Sequence, residues 1–143
     1  MPVIMRMLLS AALILCLWVP AVRASSLIAY VDLSDQRMTV MRDGYRLYDW
    51  PVSSGRSGYR TPVGQYSAQW LSRHHRSRKY NNAPMPHSIF FHGGYAIHGT
   101  NDLARLGRPA SHGCIRLHPD HAAMLFQMTQ EAGTQNMRVV IVQ

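Results

Sequence analysis

Arg37-Met38-Thr39-Val40-Met41-Arg42-Asp43-Gly44-Tyr45-Arg46-Leu47-Tyr48-Asp49-Trp50 is the stretch that decides the fold. From Arg37 to Met41 polar and apolar residues alternate, the period of a half-buried β-strand. Asp43-Gly44 is a two-residue hairpin turn, because both residues tolerate positive φ. Residues 45–50 then form the return strand. Upstream, residues 27–33 (Leu-Ile-Ala-Tyr-Val-Asp-Leu) read as another strand, closed by the turn residues Ser34-Asp35-Gln36. The N-terminal half of the domain is therefore expected to be a β-meander, with Tyr48 and Trp50 packing on the sheet.

Downstream, residues 53–60 are rich in Gly and Ser and read as a loop, tightened by Thr61-Pro62-Val63-Gly64, where Pro62 and Gly64 fix a turn. Residues 72–86 are polar, basic and proline-containing, without clean periodicity, and are expected to form a long loop beside a cleft. Residues 88–91 and 95–97 are apolar runs around Gly93-Gly94, hence two short strands. Residues 101–110 read as a loop with one helical turn. Pro119 suits the first turn of a helix, Asp120 its positive end, and Gly133 its stop. Residues 137–142 close the chain as a buried strand.

The chain has 143 residues, 47% hydrophobic and 15% charged, enough for one domain with its own core and unlike a disordered segment. Arg6, an uncharged run over 8–19 and the closing Ala21-Val22-Arg23-Ala24 are the marks of an export signal, and cleavage is expected after Ala24. The expected organisation is a signal peptide over 1–24 and one domain over 25–143, with no integral membrane span after cleavage. The two cysteines are Cys16 and Cys114, so the mature chain keeps one thiol, Cys114. A lone thiol in an exported protein is either buried and inert or kept for its reactivity, and the neighbouring histidines favour the second.

The net charge is +8, falling to +6 without Arg6 and Arg23. Between Trp50 and Asn101 stand Arg56, Arg60, Arg73, Arg76, Arg78 and Lys79 and no acid, so this segment carries the excess. Nucleic acid is an unsuitable partner for an exported chain; an anionic wall polymer or a carboxylate-bearing substrate suits the compartment, and a solvated basic loop that only aids solubility accounts for the charge equally well.

The chemistry concentrates in Tyr95-Ala96-Ile97-His98-Gly99-Thr100 and Ser111-His112-Gly113-Cys114-Ile115-Arg116-Leu117-His118-Pro119-Asp120. A thiol needs a base to become a nucleophile at neutral pH, and an imidazole within hydrogen-bond reach supplies one. His98 stands sixteen positions before Cys114, so only tertiary folding joins them. Gly113 allows a tight turn that presents the thiol. His92, His98, His112, His118, His121 and Cys114 carry atoms able to bind zinc, but with one mature cysteine and no HExxH pattern no metal site is assigned.

These residues carry a resemblance. His98-Gly99 followed by Ser111-His112-Gly113-Cys114-Ile115-Arg116-Leu117 looks like the signature of the L,D-transpeptidase catalytic domain, or YkuD domain. Thr61-Pro62-Val63-Gly64-Gln65-Tyr66 and Met85-Pro86 leading to Phe91 and the 93–99 block resemble that family's other motifs. The likeness covers about residues 27–142. It implies a mainly β fold, a sandwich or partly open barrel, with one short helix after the cysteine motif and a strand over 65–71. It further implies Cys114 as nucleophile, His98 as general base and the Gly99 carbonyl as orienter of His98, with His112 and Gly113 completing the catalytic turn. His112 would either steady that turn or polarise the substrate carbonyl; Arg116 would either bind a substrate carboxylate or brace the loop. Tyr80, Met85 and Tyr95 join Arg116 as expected substrate-binding residues. No cofactor is implied.

The activity implied is transfer on peptidoglycan stem peptides in the periplasm or cell wall: a thioester forms at Cys114, D-alanine leaves, and an amine resolves the thioester into a 3–3 cross-link. Water as acceptor would give an L,D-carboxypeptidase, and the lysine amine of an outer-membrane lipoprotein would give a linking enzyme. The same residues serve all three. A non-catalytic wall-binding module is the remaining alternative, opposed by the intact His98, His112 and Cys114.

Overall fold

The computed structural model describes residues 25–143; the expected signal segment and Cys16 lie outside the described residues. Nine strands form two sheets with one α-helix: β1 (Leu27–Asp32), β2 (Arg37–Arg42), β3 (Tyr45–Pro51), β4 (Gly64–Ser67), β5 (Trp70–Arg76), β6 (Pro84–His92), β7 (Tyr95–Gly99), β8 (Ile115–Leu117), α1 (Pro119–Ala132) and β9 (Met137–Val142). The first sheet has the order β3-β2-β1-β9-β4 and the second β5-β6-β7-β8.

The meander forms as its sequence dictates. β1 pairs antiparallel with β2, and β2 with β3, through a turn in which Asp43 and Gly44 both have positive φ, 51° and 83°. The alternation is a burial pattern: Leu27, Ala29 and Val31 of β1, Met38 and Val40 of β2, and Met137, Val139 and Ile141 of β9 all face inward. Ile89 and Phe91 of β6, Ile97 of β7, and Ile115 and Leu117 of β8 meet them in one core cluster. Of the sandwich or partly open barrel expected, a mainly β fold of two packed sheets is what forms.

The helix closes one side of this core. Pro119 occupies its first turn, and His118 caps it by accepting the Asp120 N–H at 3.2 Å. Gly133, at φ 86°, ends it as expected. The helix lies against β6 and β7, and Ala122, Leu125 and Phe126 join the core. Trp50 is buried and stacks on His121, with centroids 4.6 Å apart; Tyr48 stacks on Trp50 from the more exposed side.

Two expectations are corrected. Residues 65–71 are not one strand. The chain leaves β4 after Ser67 and enters β5 at Trp70; Ala68 N–H bonds Met137 of the first sheet and Gln69 N–H bonds Phe90 of the second. Residues 72–86 are not one long loop either. β5 runs to Arg76 and β6 begins at Pro84, leaving residues 77–83 as the connection. β5 is an edge strand, so its Ser72, Arg73, His74 and Arg76 need no apolar partner, and the alternation that marks a buried strand is missing. Pro84 and Pro86 are tolerated because β6 pairs there with β5 alone; β7 joins only from Ile89 onward.

Leu125 is fully buried where the helix meets the core. Its replacement by Ala should lower unfolding free energy by about 2–5 kcal/mol in urea titration, the usual cost of a cavity of that size; a loss below about 1 kcal/mol would mean that the helix does not anchor the sandwich.

Candidate active site

The second sheet has two faces with different tasks. Ile97, Ile115 and Leu117 point into the core. Successive side chains alternate, so Ala96 and His98 of β7, and Cys114 and Arg116 around the start of β8, belong to the other face. The parallel register places Ile97 beside Ile115 and His98 beside Arg116. Cys114, one residue before β8, packs on this outer face with Met85, Phe90 and Ala96.

On this face opens a cavity of about 360 Å³, lined in part by Tyr80, Met85, His98, His112, Cys114 and Arg116. The structure therefore brings together six residues singled out for catalysis or binding at distant positions, with Gly99 and Gly113 holding their backbones. Tyr95 is not among the lining residues. Its ring packs against the turn: a Cβ on Gly113 would stand 2.6 Å from Tyr95 Cε1. With φ at +119°, position 113 excludes a side chain on both counts.

His98 is buried, and its Nδ1 lies 2.7 Å from the Gly99 carbonyl oxygen. A carbonyl can only accept, so Nδ1 carries the proton and Nε2 keeps its lone pair as a base. Burial pushes the imidazole down to about 4, with the Arg116 charge acting in the same direction and the Gly99 carbonyl opposing it. The Cys114 thiol is half-buried, and its Sγ faces the Gly94 carbonyl oxygen at 3.8 Å. Burial raises it above its ordinary value; the Ala96 N–H and the Arg116 charge partly offset this. The resting pair is thus neutral thiol and neutral imidazole.

The turn that carries Cys114 is braced from within by Ser111, whose Oγ accepts the Gly113 N–H at 3.0 Å and donates to the Cys114 carbonyl at 2.5 Å. From outside it is braced by residues 52–61. Ser53 and Arg116 exchange backbone hydrogen bonds at 3.0 and 2.8 Å, the Ser54 carbonyl accepts from Ala110 and Ser111, and the Arg56 N–H bonds the Ser111 carbonyl. Thr61 Oγ1 donates to the Gly113 carbonyl at 2.8 Å.

His112 is sandwiched by aromatics. Tyr80 stacks on it at 3.9 Å and 6°, and Tyr59 meets it edge-on at 4.8 Å. Burial and the charges of Arg56, Arg116 and Lys79 hold its imidazole below the usual range. Of the basic residues expected at the cleft, Lys79 lies over the Tyr80 ring and Arg76 bonds the Asn82 carbonyl, whereas Arg73 lies over Phe126 and reaches Gln130 on the helix. The cations that line the cavity are Arg105 and Arg116. Asp102, also lining it, pairs with Arg105 and lies 3.7 Å from Arg116.

Sequence reasoning left Thr61, Tyr59, Arg56 and Asp102 without a role. Thr61 had a usable signal, being a hydroxyl residue held in a proline turn; the others act through contacts that no local pattern announces. Among the described residues no three His, Cys, Asp or Glu side chains converge as metal ligands, and no helix is long and apolar enough to cross a membrane.

The sequence matches the family model of the YkuD L,D-transpeptidase catalytic domain over residues 26–142. The chain belongs to this family. Its fold is that of solved family members. An L,D-transpeptidase from Mycobacterium smegmatis matches with a TM-score of 0.75 at 22% identity, over 83% of this chain and 59% of its own. One from Stackebrandtia nassauensis matches at 0.71 with 26% identity, over 86% and 57%. The L,D-transpeptidase LdtMt1, solved in complex with imipenem, matches at 0.72 with 26% identity, over 82% and 59%. The YkuD chain described here spans less than two thirds of the length of each of these relatives. No curated protein sequence matches it.

The His98 shift has a measurable consequence. A depressed native value means that the unfolded chain takes up this proton first, so the associated stability is complete above about 6.5 and is lost as pH falls toward 4. The stability advantage of wild type over His98→Gln, measured by urea titration, should shrink by roughly 2 kcal/mol between pH 7 and pH 4.5. A pH-independent difference would show that His98 is not held neutral by burial.

Proposed function

We propose that this chain is an exported cysteine L,D-transpeptidase acting on peptidoglycan stem tetrapeptides in the periplasm or cell wall. The observation that carries the reading is the placement of His98 and Cys114 on one cavity wall, with His98 locked by the Gly99 carbonyl into the tautomer that leaves Nε2 free as a base.

The chemistry follows from the resting state. Nε2 of His98 takes the Cys114 proton as sulfur attacks the carbonyl of the third stem residue. Because both groups start neutral, charge appears only as the reaction proceeds, in a pocket whose nearest formal charges include Arg116. The tetrahedral oxyanion collapses, the C–N bond to the terminal D-alanine breaks, and His98 returns the proton to the departing amine. A thioester remains on Cys114. The amine of a second stem attacks it, His98 again removes a proton, and the thiol is released as a 3–3 cross-link forms. No step calls on a cofactor.

Arg116 and Arg105 give the substrate carboxylates a cationic wall, and Asp102 holds both guanidiniums in place. Met85 offers an apolar contact beside the thiol, and the Tyr80 ring on His112 forms a flat surface opposite. The acceptor of the transpeptidase reading is a stem amine; a lipoprotein lysine amine would require the same site to admit a folded partner.

Incubation of the mature protein with a disaccharide-tetrapeptide, followed by mass spectrometry, should yield a tetrapeptide–tripeptide dimer that Cys114→Ala does not form. Tripeptide as the sole product would replace the transferase by a hydrolase. His98→Ala should slow turnover by about 10²–10⁴-fold, the range for loss of a general base. Imipenem should add covalently to wild type and not to Cys114→Ala; an adduct on the alanine variant would remove Cys114 as nucleophile.

A further inference from the structure

The Thr61 side chain stands behind the catalytic turn, on the side away from substrate. It is 4% exposed, and Oγ1 makes two bonds: it accepts the Gly55 N–H at 2.9 Å and donates to the Gly113 carbonyl at 2.8 Å. A hydroxyl has a single proton, so this pair fixes its direction. Thr61 is itself held. Its branched Cβ restricts χ1, and Pro62 restricts its backbone. Residues 52–61 are in turn fastened to residues 107–111 and to Arg116 by backbone bonds.

The consequence lies in the peptide plane. The Gly113 carbonyl and the Cys114 N–H belong to one trans peptide group and point in opposite directions. Thr61 lines a separate, smaller cleft of about 140 Å³, whereas Cys114 lines the catalytic cavity. Holding the carbonyl toward Thr61 therefore aims the Cys114 N–H toward the reacting side. Gly113 at φ +119° permits this orientation. Ser111 Oγ engages the Gly113 N–H and the Cys114 carbonyl. The Cys114 N–H is the polar group of this peptide pair that neither hydroxyl binds.

We propose that Thr61 is a positioning residue that orients the Cys114 amide as the oxyanion donor. The proposal rests on the transpeptidase reading, with Cys114 as the attacking atom. It gives the Thr61-Pro62-Val63-Gly64 turn a part in acyl transfer besides its part in the fold: the hydroxyl fixes a backbone donor it does not share a cavity with, and the donor needs no reorganisation when charge develops.

The test compares two reactions of the same thiol. Acylation by imipenem joins sulfur to the β-lactam carbonyl carbon, passes through an oxyanion, and breaks the ring C–N bond, whose nitrogen receives the proton that His98 removed from Cys114. Alkylation by iodoacetamide joins sulfur to a saturated carbon, expels iodide and leaves the thiol proton on His98, with no oxyanion. Thr61→Val should slow acylation about 10–100-fold, somewhat less than outright removal of an oxyanion donor. Its alkylation rate should stay at the wild-type value, and Thr61→Ser should restore acylation. Should Thr61→Val not fold, Thr61→Ala is read in the same way. Equal slowing of both reactions would make Thr61 merely structural, and acylation at the wild-type rate in the hydroxyl-free variants would overturn the proposal alone. A wild-type Cys114 that imipenem does not label would overturn the transpeptidase reading and the positioning role with it.

Discussion

The parallel pairing of β7 with β8 is the constraint on which the site depends. His98 and Cys114 are far apart in sequence because parallel neighbours cannot be joined by a tight turn; the chain must travel from the end of one strand back to the start of the next. Residues 100–114 make that journey without an α-helix, through a short 3-10 turn at Leu103–Arg105. A crossover of this kind has little core of its own. It is fixed instead by the backbone bonds that Val52, Ser53, Ser54 and Arg56 make with Gly107, Ala110, Ser111 and Arg116. The turn that carries Cys114 is therefore held from outside by residues 52–56.

This arrangement divides the work of one small sheet. Its inner residues supply hydrophobic stabilisation, each fully buried Ile or Leu contributing about 1.5–3 kcal/mol. Its outer residues stand on the same rigid strands but face a cavity. Position along β7 decides which task a residue has: Ile97 is core, His98 is site, and Gly99 supplies from its backbone the acceptor that fixes His98. A carbonyl can do this where a carboxylate would add charge. Beside a buried imidazole already depressed to about 4, an added carboxylate would favour the protonated form that cannot act as a base.

Much of this was legible in the sequence, for identifiable reasons. The meander could be read because β1 and the first part of β2 alternate in burial and Asp43-Gly44 names its own turn. The helix could be read because Pro119, Asp120 and Gly133 mark its ends. The His98 and Cys114 blocks could be read because short polar motifs between apolar strands resembled a known pattern. The edge strand β5 could not, since half its side chains face water and its partner β6 carries prolines on its unpaired side. The break at Ala68-Gln69 was equally hidden: one amide serves each sheet, and only the assembled sandwich shows it. Thr61 escaped notice because its role is defined by Gly113, fifty-two positions away.

The electrostatics of the cavity explain why a neutral pair is suited to this site. Burial opposes charge on both His98 and Cys114, so the resting site holds neither thiolate nor imidazolium. A permanent thiolate would be open to oxidation, whereas a neutral thiol is less reactive toward oxidants. Arg116 acts on both partners. Its charge lowers the thiol and lowers the imidazole, so it assists proton loss from sulfur while opposing proton gain by His98. Asp102, 3.7 Å away, moderates that charge. The backbone around Gly113 carries no such charge and is fixed by hydroxyls on both sides, Thr61 on its carbonyl and Ser111 on its N–H.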